Sequence, residues 1–244
     1  MRFVCKIKIN REDQKVSVKF EQSKTAENLA RAFAGECQDG AKYQYVADMA
    51  TQQKFPTIAT ILKQIATNEM AHAKAFMDIL AKNASGVIES IKITADYPFQ
   101  VGNLEQMLAF EEQNENKQAV EVYPEFARIA TAEGFEDCAD LFMRVAQVEA
   151  CHTNQLHQLH QNFKEKTLFK CEKGKKFKCS NCGHEAELKS AWKTCPLCGQ
   201  PQGYVMIEIS NAKSDTVLPP EKSWKALEEA HKEKQKKQSR LNSK

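Results

Sequence analysis

Two Glu-x-x-His pairs, Glu69 with His72 and Glu149 with His152, stand out in this 244-residue chain for the chemistry their types and spacing could support. Residues three apart share one face of a helix, so each pair can turn a carboxylate and an imidazole toward one point. Two further helical stretches supply single glutamates: Glu36, on a stripe between Phe33 and Tyr43, and Glu115, eight residues before Tyr123. Four glutamates and two histidines facing a dry interior would be very costly unless cations neutralised them. Two divalent or trivalent metal ions would do so. One Glu from each of two helices plus Glu-x-x-His from each of the other two is a ligand set that bundles use for metal pairs. Hard carboxylates with one imidazole per metal suit iron or manganese better than zinc. One such pair on a charged helix reads as a surface pair. Two copies, on the second and fourth of four helices and each within an apolar stripe, reverse that reading.

A second constellation follows. Cys179-Ser-Asn-Cys182-Gly and Cys195-Pro-Leu-Cys198-Gly are separated by twelve residues. Each loop turns two thiolates toward one point, and four thiolates make a tetrahedral site for one iron or one zinc. Spacing alone does not choose between them, and a zinc ribbon that only staples a small module fits equally well. The other five cysteines (Cys5, Cys37, Cys138, Cys151, Cys171) are scattered singly. Cys37 and Cys151 adjoin proposed ligands but face other directions and read as packing residues. His157 and His160 read as surface or core-edge residues, and His184 as packing beside the cysteines.

Elements must carry these groups. Weak alternation in residues 1–20 suggests a short strand pair. Ser23 to Thr25 offers a helix N-cap before a helix over Glu27–Ala50. Pro56 opens a second helix, to about Lys82. The stretch from Asn83 to Gln100 is a connection long enough for a bundle crossover. A third helix, Val101 to about Ala132, is interrupted near Pro124 and ended by Gly134. A fourth runs from Phe135 to about Glu165. The expected organisation is an N-terminal extension (1–22), a metal-binding bundle (23–167), a four-cysteine domain (168–210) and a basic tail (211–244). The chain is long enough for a bundle plus a small module.

Composition narrows the function class. A net charge of +3 is too near balance for nucleic acid to be the main partner. No apolar run reaches a membrane-helix length, and the N-terminus lacks an unbroken apolar h-region. These features, with metal-type rather than disulfide-type cysteine pairs, predict a cytoplasmic protein with no membrane partner.

The sequence resembles the rubrerythrin family over residues 25 to about 207. The resemblance is carried by Asn28-Leu-Ala-Arg-Ala-Phe-Ala-Gly-Glu36, Glu69-Met-Ala-His72-Ala-Lys, Tyr123-Pro-Glu-Phe-Ala-Arg-Ile-Ala, Ala132-Glu-Gly-Phe, Val148-Glu149-Ala-Cys-His152 and the Cys179–Cys198 segment. It implies a mainly α fold, a ferritin-like four-helix bundle followed by a small rubredoxin-like four-cysteine domain. It further implies a non-haem di-iron centre held by Glu36, Glu69, His72, Glu115, Glu149 and His152. Cys179, Cys182, Cys195 and Cys198 would hold one further iron, or zinc, and Tyr43 and Tyr123 would hydrogen-bond ligand carboxylates. The implied activity is reduction of hydrogen peroxide to water in oxidative-stress defence. Electrons would come from a rubredoxin or an NAD(P)H-dependent reductase, and the chain would form a homodimer or larger oligomer.

One departure matters. The family's third helix carries Glu-x-x-Glu before Tyr-Pro. Counting back from Tyr123-Pro124, the first position is Glu115, but the second is Gln118. An alternative register pairs Glu112 with Glu115. A neutral amide is a poorer ligand for ferric iron, so Gln118 puts normal turnover in question. The rival functions are an iron-binding or ferroxidase bundle with a structural zinc ribbon, and a non-enzymatic dimer module that docks an acidic partner.

Overall fold

Hydrophobic periodicity of 3.6 residues dominates from Ser23 to Glu165, and the chain folds accordingly into long helices. The computed structural model describes residues 18–210. Cys5, most of the expected N-terminal strand pair and the lysine-rich tail lie outside the described residues. Of that strand pair, Phe20–Gln22 is in fact a 3-10 turn.

Helix α1 spans Lys24–Gln52. Ser23 caps it, its Oγ accepting from the Ala26 amide at 3.0 Å, which satisfies one of the free N–H groups of the first turn. Helix α2 spans Pro56–Asn83, with Pro56 in the first turn, where no N–H is needed. Residues 84–103 cross over without regular structure. A capping box between Asn103 and Gln106 then starts α3, Leu104–Lys117.

The expected single third helix is corrected here. A π-helical segment, Gln118–Val122, separates α3 from α4, Tyr123–Glu133. Pro124 donates no N–H, and its ring crowds the carbonyl four residues back, so the regular ladder cannot run through. The extra residue per turn absorbs the mismatch, as π bulges do, often at functional sites. Gly134, with φ +89°, ends α4 in the left-handed region. Helix α5 spans Glu136–Lys164. Helix α1 packs along α2, and the α3–α4 rod packs along α5. Two apolar clusters fill the bundle. One gathers Leu29, Ala32, Phe76, Phe126 and Phe142. The other gathers Val46, Ile58, Leu62, Leu108, Leu156 and Leu159. The apolar stripe of α1 runs through Leu29, Ala32, Tyr43 and Ala47. It does not include Phe33, which is 37% exposed, so the expected Phe33–Tyr43 stripe is corrected.

The cysteine segment adds an antiparallel pair, β1 (Lys170–Lys178) and β2 (Glu185–Ser190). Its small core is Phe169, Phe177, Ala191 and Val205. It docks on the α1–α2 turn. Phe55 stacks on Phe169 at 6.5 Å between centroids, and the Thr57 hydroxyl donates to the Gly203 carbonyl at 3.0 Å. Gly203 lies so close that an added Cβ would stand 1.9 Å from the Lys54 carbonyl oxygen. That atom is backbone and cannot swing aside. Gly203→Ala is therefore expected to loosen this docking at a cost of about 1–3 kcal/mol, the usual range for overpacking. Thermal unfolding together with limited proteolysis near residues 165–170 would read it, and an unchanged cleavage rate would contradict it.

Candidate metal centres

Helical periodicity brings the six expected groups to one level of the bundle, between the two apolar clusters. Glu36 lies on α1, Glu69 and His72 on α2, Glu115 on α3, and Glu149 and His152 on α5. The four glutamates are at most 2% exposed. They form two overlapping donor sets: Glu36, Glu69, His72 and Glu149, and Glu69, Glu115, Glu149 and His152.

The atoms divide in a specific way. Nδ1 of His72 faces Oε2 of Glu36 at 3.3 Å, Oε2 of Glu69 at 3.0 Å and Oε1 of Glu149 at 3.0 Å. Nδ1 of His152 faces Oε1 of Glu69 at 3.0 Å, Oε2 of Glu149 at 2.8 Å and Oε2 of Glu115 at 3.7 Å. Glu69 and Glu149 thus give one oxygen to each imidazole. A ring nitrogen carries at most one hydrogen, yet three carboxylates converge on each. Oε1 of Glu69, Oε2 of Glu115 and Oε1 of Glu149 accept no hydrogen bond despite their burial. Buried, unpaired oxygens around a shared nitrogen are what two adjacent cation sites present. The donor chemistry, carboxylates plus one imidazole per site, fits iron or manganese.

Without cations the cluster must hold protons. Burial pushes Glu36 up to about 8, opposed by its contact with His72. Burial and the charge of Glu115 push Glu149 up to about 8. Burial would lower His72, but contacts with Glu149, Glu36 and Glu69 outweigh it and carry it to about 12. Burial would also raise Glu115, but its contact with a charged His152, 3.7 Å away, holds it below its usual range.

The surrounding residues hold the carboxylates in place. The Tyr43 hydroxyl donates to Glu115 and that of Tyr123 to Glu36. Asn68 lies 3.1 Å from Nε2 of His152. The two registers for α3 are resolved. Glu112 points outward, its oxygens each 2.7 Å from Nδ1 of His157 and of His160, so Glu115 belongs to the cluster and Glu112 does not. Gln118 does not join either donor set; its amide donates to Oδ2 of Asp39 at 2.7 Å. Asp39 was not anticipated. It is 5% exposed, and its other oxygen lies 3.3 Å from the Lys42 ammonium, which also reaches Glu111 at 2.9 Å. Burial, partly offset by Lys42, carries Asp39 up to about 7. The signal for it was the spacing Glu36, Asp39, Lys42 along one helical face. Asp39, Gln118 and Tyr123 line a cavity of about 670 Å³ that also meets Arg31 and Tyr97.

The four cysteines form a separate set. Sγ of Cys179 and Cys198 are 3.7 Å apart, and those of Cys182 and Cys195 are 3.6 Å apart. A tetrahedron with metal–sulfur bonds of about 2.3 Å has edges of about 3.8 Å. Each knuckle closes the same way. The Gly183 amide donates to the Cys179 carbonyl and the Gly199 amide to that of Cys195, both at 2.9 Å. Both glycines have φ +74°, which a side chain would strain. The Gln200 amide and then Asn181 hold the Cys198 thiol down to about 6, favouring the thiolate that binds metal. His184 packs on Trp192, with centroids 5.0 Å apart. The Cys151 thiol donates to the Gln147 carbonyl at 3.4 Å, one turn back on α5.

The raised groups predict a pH slope. Glu36, Glu149 and His72 all have folded values above their unfolded ones, so the folded state keeps protons that the unfolded chain releases. Their contribution is complete below the unfolded values and is lost as pH rises through the folded ones. Metal-free protein is therefore expected to lose stability between about pH 5 and about pH 8. Ferrous or manganous ion should replace those protons and flatten the slope. Melting temperatures with and without metal at the two ends of this range would check it. A metal-free protein more stable at the upper end would contradict it.

Comparison with known proteins agrees with this picture. The Rubrerythrin family model matches residues 27–159 and again 117–179. Rubrerythrin-1 of Clostridium acetobutylicum is 36% identical over 190 residues, covering 78% of this chain and 96% of its own. Rubrerythrin of Nitratidesulfovibrio vulgaris is 32% identical over 183 residues, covering 75% and 93%. A solved mixed-valence structure of nigerythrin superposes with a TM-score of 0.51 at 22% identity, covering 84% of this chain and all of that one, a likeness of fold. No helix among the described residues is long and apolar enough to cross a membrane. With the fold, two carboxylate–histidine sets and four cysteines in place, the chain belongs to the rubrerythrin family.

Proposed function

We propose that this chain is a non-haem di-iron peroxidase that reduces hydrogen peroxide to water, with electrons delivered through the four-cysteine centre. The observation that carries this reading is the division of Glu69 and Glu149, each of which turns one oxygen toward His72 and the other toward His152. In this reading Glu36 and His72 would hold one ion and Glu115 and His152 the other, with Glu69 and Glu149 shared between the two donor sets. Bound as a pair, iron would supply two electrons and Lewis acidity toward the O–O bond. Hydrogen peroxide takes two electrons and two protons and leaves as two waters.

The protein's own groups do the rest. Tyr43 and Tyr123 fix the carboxylates of Glu115 and Glu36 through hydroxyl donors. Burial keeps both hydroxyls well above their usual pKa, so they stay donors at neutral pH. The apolar residues at either end of the cluster keep bulk water away from the reacting groups. The cavity lined by Tyr123, Asp39 and Gln118 adjoins the tyrosine that holds Glu36.

Residues 23–167 serve in this reading as the peroxide-reducing unit and residues 168–210 as the electron relay. The relay docks at the start of α2, thirteen residues before Glu69, which is about 20 Å along a helix axis at about 1.5 Å per residue. In a homodimer or larger assembly the relay would serve the metal pair of a neighbouring copy, as the family resemblance implies. A rubredoxin or an NAD(P)H-dependent reductase would reload the relay.

Anaerobic peroxide consumption with a chemical or enzymatic reductant tests the reading. Wild-type protein should turn over, and Glu149→Ala should reduce the rate to background. Tyr43→Phe should lower it about 10- to 100-fold, the usual cost of losing a group that orients a ligand. Peroxide loss that Glu149→Ala leaves unchanged would sink the reading.

A further inference from the structure

Among the described residues the metal-ligand reading leaves two buried carboxylates near the cluster unexplained, Asp39 and Glu111. Asp39 lies on the same face of α1 as Glu36, one turn on, and is 5% exposed. Its two oxygens are both engaged, one by the Gln118 amide at 2.7 Å and one by the Lys42 ammonium at 3.3 Å. Lys42 is shared with Glu111, itself 1% exposed and also reached by Asn114 at 3.1 Å. With Asp39 ionised, as it is above about pH 7, two carboxylates and one ammonium give this buried group one net negative charge. Isolated burial of such a charge is unfavourable unless something nearby is positive.

The cluster beside it has a complementary excess. Four ligand glutamates balance two divalent ions, but two trivalent ions leave two positive charges over. Asp39 stands one turn from Glu36 on α1, and its partner Gln118 stands one turn from Glu115, so the pair lies beside a member of each donor set. Gln118, where the family pattern has a second glutamate, points its amide at Asp39 and not at the donor sets.

We propose that Asp39 is a positioning residue that supplies from α1 the negative charge that α3 lacks at Gln118, and that it stabilises the oxidised metal pair. Gln118 is then the donor that holds Asp39, not a weakened ligand. The inference rests on the di-iron reading above. It assigns the exchanged pair Asp39 and Gln118 as the setting of the centre's redox balance.

The test is a spectroscopic redox titration of the iron-loaded full chain at about pH 8, with iron counted in each variant. Asp39→Asn keeps the shape and removes the charge. It should raise the midpoint potential, so that at fixed ambient potential the ferric-to-ferrous ratio falls on the order of tenfold or more, as for a unit charge several ångströms away in a medium of effective dielectric about 20. Gln118→Glu should lower the potential. The double variant Asp39→Asn with Gln118→Glu should return it close to wild type. A purely structural role would not give opposite signs that cancel. Wild-type protein that holds a metal pair, with potentials unmoved in both single variants, would overturn this inference and leave the di-iron reading standing. Wild-type protein that takes up no iron pair would overturn both.

Discussion

Four glutamates that face one another in a dry interior cannot all be charged unless cations stand between them, and the rest of this structure follows from that constraint. Without metal the cluster holds protons at neutral pH, and Glu36 and Glu149 are pushed to about 8. Cations in place of those protons would let the same oxygens stay charged. The bundle is built to keep the cluster in that unstable-alone condition. Apolar side chains close it off on both sides, with Phe76 and Phe142 on one and Leu62, Leu108 and Leu156 on the other. Tyrosine hydroxyls are spent on Glu36 and Glu115, while buried oxygens of Glu69 and Glu149 are left open.

The backbone accommodates this arrangement at a defined place. Pro124 forbids a regular helix through the end of α3, and the π segment Gln118–Val122 takes up the mismatch. That segment sits between Glu115 and Tyr123, so it sets the spacing between a cluster carboxylate and the tyrosine that holds Glu36. It also presents Gln118 to Asp39 across the cavity. A helix irregularity and the polar geometry of the site therefore have one cause, the ring of Pro124.

Much of this was legible in the chain. The two Glu-x-x-His pairs and the two Cys-x-x-Cys-Gly loops are local signals whose spacing alone fixes their relative direction, and the structure brings each set together. The ends of α1, α2 and α5 fell within three residues of expectation because Ser23, Pro56 and Gly134 are strong boundary signals. Tertiary pairing was harder. The choice between Glu112 and Gln118 as the companion of Glu115 depended on which side of α3 meets α5, and only packing decides that. Phe33 looked like a core residue from composition, yet the bundle turns it outward. Asp39 and Glu111 were missed because buried carboxylates outside a ligand motif are rare, and theirs is sustained by Lys42, which reaches both, with Gln118 on Asp39 and Asn114 on Glu111.

The most direct test of the central claim is a crystal structure of anaerobically prepared protein with anomalous diffraction recorded at the iron and zinc edges. The account predicts two iron peaks a few ångströms apart between Glu69 and Glu149, one beside His72 and one beside His152, and a separate metal peak among the four cysteines. A cluster with no metal peak in protein prepared with iron, its glutamates hydrogen-bonded to one another through protons alone, would contradict it.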